Sequence, residues 1–360
     1  MSELIEGADE VRDEDSFDVA AVRAWLAEQG TELAEDVKVR QFGGGASNLT
    51  YSLRDADHDL ILRRPPSGHK AKGAHDMGRE YKIQDGLAGV FPLVPEMVAL
   101  CEDESVIGLP FYVMQRVDGI IPRRNFPRGV TLDEEQARAL CEHALDVLVD
   151  LHQVDVDSTS LAAMNKGDGY VERQVSGWSR RYRDARTEDA RPQGSTPYER
   201  VMAWLNERQP KDVGHCLIHN DFRFDNMVLS REDPTTPIGL LDWEMATVGD
   251  PLMDLGGTMA YWVTDQDDEF FRQFRRQPSN LPGMFSREEM VARYCERMGF
   301  SVDAEQWLFY EVFGLFRLGV IAQQIYYRYF HKQTTNEAYA IFGPAAQFLE
   351  QRCLALIGRA

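Results

Sequence analysis

The sequence predicts an α+β protein of two lobes, a small β-sheet N-lobe with one main helix and a larger, mostly helical C-lobe. Three observations lead there. Between residues 37 and 117, short apolar runs alternate with Gly- and Pro-containing turns, as strands do. From Thr131 onward the apolar residues recur at helical spacing, as in Ala137, Leu140, Ala144, Leu145, Leu148 and Leu151. Inside that helical part, apolar runs at 227–229 and 238–241 flank a polar turn and read as a hairpin. A chain of 360 residues is long enough for two domains or one bilobal unit. We place a disordered tail at 1–15, the N-lobe at 16–117 and the C-lobe at 118–360.

Taken in order, Ser16 or Asp18 can cap a helix with Val19, Val22, Trp25 and Leu26 on one face and Gly30 as its stop. Residues 37–42 and 49–53 read as strands joined by Gly43-Gly44-Gly45-Ala46-Ser47-Asn48. Such a turn lets backbone amides approach a phosphate without interference from Cβ, although a plain hairpin loop has the same composition. It is not a Walker A sequence, because no Gly-Lys-Ser/Thr follows. Residues 59–64 form the third strand, stopped by Pro65-Pro66. Side chains alternate along a strand, so only one of Arg63 and Arg64 can face a nucleotide, and we select Arg63. Lys70 and Lys72 fall in the loop that follows. The helix near 77–87 puts Glu80 where it can pair with the strand cation. Residues 106–117 supply two further strands and complete a five-stranded sheet. Gln115-Arg116-Val117, followed by Asp118-Gly119, then reads as a hinge whose backbone, at Gln115 and Val117, would bond an adenine edge.

Thr131 or Asp133 caps the helix that ends at His152, which we read as structural. An inserted amphipathic region rich in Arg and aromatics begins at 167–170, and a helix at 198–206 leads into the next motif. Residues 307–330 form a long helix with an aromatic stripe, able to line an acceptor pocket or to bury the face of a homodimer.

The net charge of −20 argues against sequence-independent nucleic-acid binding and against anionic membrane surfaces, both of which call for basic patches. The longest apolar helix candidate is interrupted by Glu311, Arg317 and Arg328, so no membrane span is expected. Five scattered cysteines without a C-x-x-C pair, and an acidic N-terminus without an apolar h-region, point to a reducing cytoplasm.

The chemistry sits between His219 and Asp254. There His219-x-Asp221-x-x-x-x-Asn226 precedes the hairpin and Asp242 ends it. Loop, strand, turn and strand deliver Asp221, Asn226 and Asp242 to neighbouring points. A carboxylate near an Asn, with a second carboxylate across the hairpin, suits a hard cation such as Mg2+, which takes oxygen ligands, and one Asp remains free to receive a proton from a hydroxyl. Phosphoryl transfer from ATP requires these parts, since it is mostly positioning and charge neutralisation.

The spacing matches the catalytic loop and metal-binding Asp of protein kinases. The wording, with Asp242-Trp243-Glu244 at the metal-binding position, resembles the aminoglycoside phosphotransferase family of kinase-like enzymes. The resemblance runs from Val37 to about Cys353 and implies a bilobal protein-kinase-like fold, ATP and Mg2+ as cofactors, and an alcohol acceptor. Three further stretches, ERQVSGWSRRY, YERVMAWL and FGLFRLGVIAQQIYYR, resemble the subgroup found as free-standing bacterial enzymes and fused to some acyl-CoA dehydrogenases. That subgroup implies phosphorylation of the hydroxyl of 4-hydroxyacyl-CoA thioesters, with Arg173, Arg180, Arg181 and Arg183 available for the CoA phosphates. The chain departs from the family in having Asn220 where Gly is usual and Ala46 where the subgroup has Gln. By the resemblance Asp221 takes the hydroxyl proton, Asn226 and Asp242 hold Mg2+, and Arg63, held by Glu80, steadies the phosphates. His219 braces the loop. An aminoglycoside, choline-like or sugar alcohol kinase and a nucleotide-binding pseudokinase remain as alternatives. No Ala-Pro-Glu element follows Asp242, so protein-kinase activity is not expected.

Overall fold

The computed structural model describes residues 7–43, 48–66, 76–188 and 198–358. Six short strands build the N-terminal sheet: β1 (Ala8–Asp9), β2 (Lys38–Phe42), β3 (Leu49–Arg54), β4 (Asp59–Arg64), β5 (Met97–Cys101) and β6 (Phe111–Gln115). They lie antiparallel in the order β1-β2-β3-β4-β6-β5, so β4 is central. Two helices cover the sheet, α1 (Val19–Glu28) and α2 (Met77–Leu87). Alternation along β4 decides what each face receives. Leu60 and Leu62 join Val22 and Leu26 of α1 in one core, whereas Ile61 joins Met77 of α2, Tyr112 and Met114 in another. The same alternation sends Arg64 to the α1 side, where it donates to the Asp15 carbonyl at 2.6 Å, and Arg63 to the α2 side.

Two expectations change here. Residues 7–15 are not a loose tail. Ala8 and Asp9 pair with β2, and buried Asp15 accepts hydrogen bonds from Gln41 at 2.8 Å and, through its carbonyl, from the Tyr51 hydroxyl at 2.7 Å. An acidic segment looks solvated in a sequence when its partners are polar groups distant along the chain. The strand expected at the start of 106–117 is a turn, with Gly108 at φ 81° and its N–H donating to Glu104 at 2.7 Å. The pairing partner of β6 is instead β5, and β1 makes the sheet six-stranded rather than five-stranded.

The C-terminal lobe opens with α3 (Glu134–His152), begun by a capping box between Asp133 and Gln136. Helices α4 (Tyr170–Asp184) and α5 (Glu199–Glu207) follow. Then come strands β7 (Cys216–Ile218), β8 (Met227–Leu229), β9 (Pro237–Leu240) and β10 (Thr247–Gly249), with β7 paired to β10 and β8 to β9. Helices α6 (Pro251–Ala260), α7 (Glu269–Gln273), α8 (Arg287–Met298), α9 (Ala304–Phe330) and α10 (Phe342–Ile357) complete the chain. By length and composition α9 passes for a membrane span, despite the charges that set it aside in the sequence; 67% of its most apolar window is buried inside the protein.

Where α9 meets α6 the backbones touch. A Cβ on Gly314 would stand 2.2 Å from the Gly256 carbonyl oxygen, and one on Gly256 would stand 2.6 Å from the Tyr310 carbonyl oxygen. These glycines set the helix separation, and α6 carries Asp254 into the site. Gly314→Ala is therefore expected to destabilise the protein by about 1–3 kcal/mol, as overpacking does, measured by chemical denaturation. A variant as stable as the parent would show that the helices can part freely.

Candidate active site

The loop from β7 to β8 and the end of β9 bring three side chains together. The Leu241 N–H donates to the Asn226 carbonyl at 2.8 Å, one step beyond the β8–β9 ladder, so Asp242 follows directly on the residue facing Asn226. The Asn226 side-chain amide donates to the Asp221 carbonyl and to Asp221 Oδ2, both at 2.9 Å. Oδ2 also accepts from Arg223 at 2.9 Å. Asp221 Oδ1 and Asn226 Oδ1 have no hydrogen-bond partner among the described residues.

Two residues here hold left-handed backbone, Asn220 at φ 63° and Asp242 at φ 68°. Both positions are costly for any residue but glycine, with Asn and Asp the best tolerated. The surroundings hold them. The N–H groups of His219 and Asn220 donate to the two oxygens of buried Asp254, each at 2.8 Å. The Asn220 carbonyl accepts from Arg317 at 2.6 Å, and its side-chain amide donates to the Met245 carbonyl at 3.1 Å. Arg79 reaches across from α2 to the Glu244 carbonyl at 2.8 Å and to the Ala246 carbonyl. Three successive carbonyls after Trp243 are thus each held, two by the sheet lobe and one by the catalytic loop.

His219 is fully buried; its Nε2 donates to the Leu241 carbonyl at 3.0 Å and Nδ1 accepts from the Asp221 N–H at 3.3 Å. Burial lowers its pKa below the ordinary value, against the pull of Asp254, Asp221 and Asp242. It ties strand to loop as a neutral ring. Burial alone would raise the Asp254 carboxyl, but the hydrogen bonds from the His152 ring and from the His219 N–H hold it below the usual range. His152 sits between that carboxylate, at 3.1 Å, and the Tyr294 hydroxyl, at 2.5 Å.

From the sheet, Arg63 donates to Glu80 at 2.7 Å and to Asp242 at 3.2 Å. Glu80, 1% exposed, also accepts from the Tyr112 hydroxyl at 2.9 Å. Burial pushes the Glu80 carboxyl up and the Arg63 guanidinium pulls it back. The remaining expected nucleotide contacts divide. Gly44, Gly45, Ala46, Ser47, Lys70 and Lys72 lie outside the described residues. The Gly43 N–H donates to the Gly7 carbonyl at 3.4 Å and the Gln115 N–H to Glu96 at 2.8 Å, so neither amide is open to a nucleotide. The Val117 N–H has no backbone partner among the described residues, as a hinge contact requires. Buried Asn48 donates its amide to Glu244, at 3.2 Å, and to Glu80, at 3.5 Å.

Four residues escaped the sequence reading in their roles: Arg79, Arg223, Asp254 and Arg317. Only Asp254 carried a signal, as a lone carboxylate within the apolar helix PLMDLGGTMA. The arginines looked like any solvated helix or loop charge.

A model of the phosphotransferase enzyme family matches residues 38–290. The chain belongs to this family. It has the kinase-like α+β fold of that family, as described above. The chain is 36% identical over 300 residues to acyl-CoA dehydrogenase family member 10 of Mus musculus, covering 83% of this chain and 27% of that one. It is 31% identical over 355 residues to acyl-CoA dehydrogenase family member 11 of Homo sapiens, covering 97% of this chain and 44% of that one. The chain thus spans less than half the length of these relatives. Among solved structures, a protein of Ralstonia eutropha described as an aminoglycoside phosphotransferase superposes with a TM-score of 0.79 at 26% identity, covering 96% of this chain and 99% of that one. An aminoglycoside phosphotransferase in complex with AMP-PNP and hygromycin B, at 15% identity and a TM-score of 0.58 over 94% of this chain and 98% of that one, shares the fold.

Two outcomes are expected from the loop. At φ 63° glycine fits where alanine does not, so Asn220→Ala should be less stable than Asn220→Gly by about 1 kcal/mol in denaturant titrations. Equal stabilities would mean the backbone relaxes. The lowered pKa of His219 means that the unfolded chain binds a proton before the folded one as pH falls through about 6.5. Its contribution is complete above that pH and is lost below it, at up to about 1.4 kcal/mol per pH unit until the folded ring titrates. His219→Gln should flatten that part of the stability profile between pH 7 and pH 5.

Proposed function

We propose that this phosphotransferase moves the γ-phosphoryl group of ATP to the hydroxyl of a 4-hydroxyacyl-CoA thioester. The observation that carries the acceptor is the match of nearly the whole chain to proteins named as acyl-CoA dehydrogenases. A kinase domain in a chain with such a dehydrogenase would act on the same class of thioester. Family membership supports ATP as donor, as does the AMP-PNP complex of a structural neighbour.

The donor set fits Mg2+. The nitrogen of the Asn226 amide is committed to Asp221, which leaves Oδ1 as a ligand, and Asp242 is 34% exposed with one oxygen shared with Arg63. Asn226 and Asp242 would hold the ion, which when bound supplies positive charge against the phosphate oxygens. Asp221 offers Oδ1 to the acceptor hydroxyl while Arg223 and Asn226 fix its other oxygen. As the acceptor oxygen bonds to the γ-phosphorus and the bond to the β–γ bridging oxygen breaks, the hydroxyl proton passes to Asp221 and ADP leaves. Arg63 would steady the phosphates from a buried pairing with Glu80, so its position costs little further ordering.

The test is ADP release with Mg-ATP against 4-hydroxyacyl-CoA thioesters, the matching free acids and aminoglycosides. Turnover of the thioesters is expected; turnover of aminoglycosides alone would discard the acceptor assignment. Asp221→Ala should lower kcat by on the order of 10^2–10^4-fold while thermal unfolding stays near that of the parent. Asp242→Ala should remove turnover to a similar degree, and normal turnover in a folded Asp242→Ala protein would overturn the mechanism.

A further inference from the structure

The arginines of α4 separate into two kinds. Arg173 donates to the carbonyls of Gly167, at 3.1 Å, and Asp168, at 2.6 Å, and Arg183 pairs with Glu199 at 3.3 Å. Arg181 has no carboxylate partner among the described residues and lies over the Trp178 indole, 4.6 Å from its centroid. Arg317 of α9 lies over the same ring at 5.4 Å, also without a carboxylate partner among the described residues. Its guanidinium donates to the carbonyl of Asn220, the residue before Asp221. The site therefore has two guanidiniums on one indole, one of them bonded to the catalytic loop. In a chain with 59 acidic and 39 basic residues, counter-ions are plentiful, yet these cations have none among the described residues.

We propose that Arg181 and Arg317, held against Trp178, form an anion subsite for the acceptor, recognising a phosphate or carboxylate group on the hydroxyl-bearing molecule. The guanidinium is a planar fork that binds such oxyanions in a bidentate manner, and the indole fixes its plane. Arg181 is exposed and so open to an anion; partial desolvation, with Arg180 and Arg317 close by, lowers its pKa, as expected where positive charges meet without an anion between them. Trp178 is 6% exposed, and its N–H is spent on Gln174 at 3.2 Å, so it acts as a platform. The subsite deepens the acyl-CoA reading and rests on it for the source of the anion. Both the CoA phosphates and the carboxylate of a free hydroxy acid have the required chemistry.

The test compares steady-state kinetics of the wild type, Arg181→Gln, Arg181→Lys and Arg183→Gln, with a 4-hydroxyacyl-CoA thioester and with the matching free acid. Arg181→Gln is expected to raise the KM of the anionic acceptor at least tenfold, with kcat changed less than threefold and the KM for Mg-ATP less than twofold. Arg181→Lys should recover part of the loss, and Arg183→Gln, which removes a charge paired elsewhere, should change no constant. A rise confined to the thioester assigns the subsite to the CoA phosphates; a rise for the free acid as well assigns it to a carboxylate. An acceptor KM in Arg181→Gln equal to that of the wild type overturns the subsite and leaves the acyl-CoA reading intact. Wild-type turnover of aminoglycosides alone overturns both.

Discussion

Asp254 spends both of its oxygens on two adjacent backbone amides, those of His219 and Asn220, and the catalytic loop depends on that bond pair. The amides open a loop that Asn220 enters in a left-handed conformation, which an unaided chain would leave. A buried carboxylate is costly unless it is fully bonded, and here His152 and the two N–H groups satisfy it. The route from sequence to chemistry passes through that helix. Close contact of α6 with α9 at Gly256 and Gly314 places Asp254, Asp254 turns the loop, and the turn presents Asp221 beside Asn226.

The second left-handed residue, Asp242, is held from the other lobe. Arg63 binds its carboxylate, and Arg79 binds the carbonyls of the turn that follows. Both arginines come from elements of the N-terminal sheet layer, β4 and α2. The metal-binding candidate therefore has its position set by the half of the protein that would carry the nucleotide. A displacement of α2 would move Glu80, Arg63 and the Asp242 turn together, because the buried Arg63–Glu80 pair and the Arg63–Asp242 pair join them. Surface ion pairs count for little, but a pair this enclosed leaves an uncompensated charge when either partner is lost.

How far the sequence could reach follows from what kind of interaction each residue makes. That Asp221 and Asn226 meet, with Asp242 one residue beyond the ladder, was legible because their spacing is local. Arg63 could be separated from Arg64 because strand alternation is a rule with a period of two. Arg79 and Arg317 were not legible as braces, because each binds a backbone carbonyl remote in the chain, which leaves no pattern in residue types. Residues 7–15 were misread for the same reason, since Asp15 meets Gln41, Tyr51 and Arg64 only after β2, β3 and β4 have paired. The strand at 97–101 was missed because the run at 106–117 also alternates; Gly108 and Pro110 turn its first part aside.

Net charge proved a poor guide to the site. A surplus of 20 acidic charges spread over the chain says little about one pocket, and the groups packed round the loop at Asp221 include Arg223, Arg317 and, beyond Trp178, Arg181. Charge spread over a surface is screened within about 8–10 Å at ordinary ionic strength, while a guanidinium fixed on an indole acts at contact. On the proposed acceptor reading, selectivity between acceptors would be decided by such contacts. Arg223 illustrates the cost of concentrating them: burial alone would lower its pKa, and Asp221 and Asp225 hold it high. Its guanidinium therefore stays charged beside Asp221, the carboxylate proposed to receive the proton, and would keep the loop oriented through that transfer.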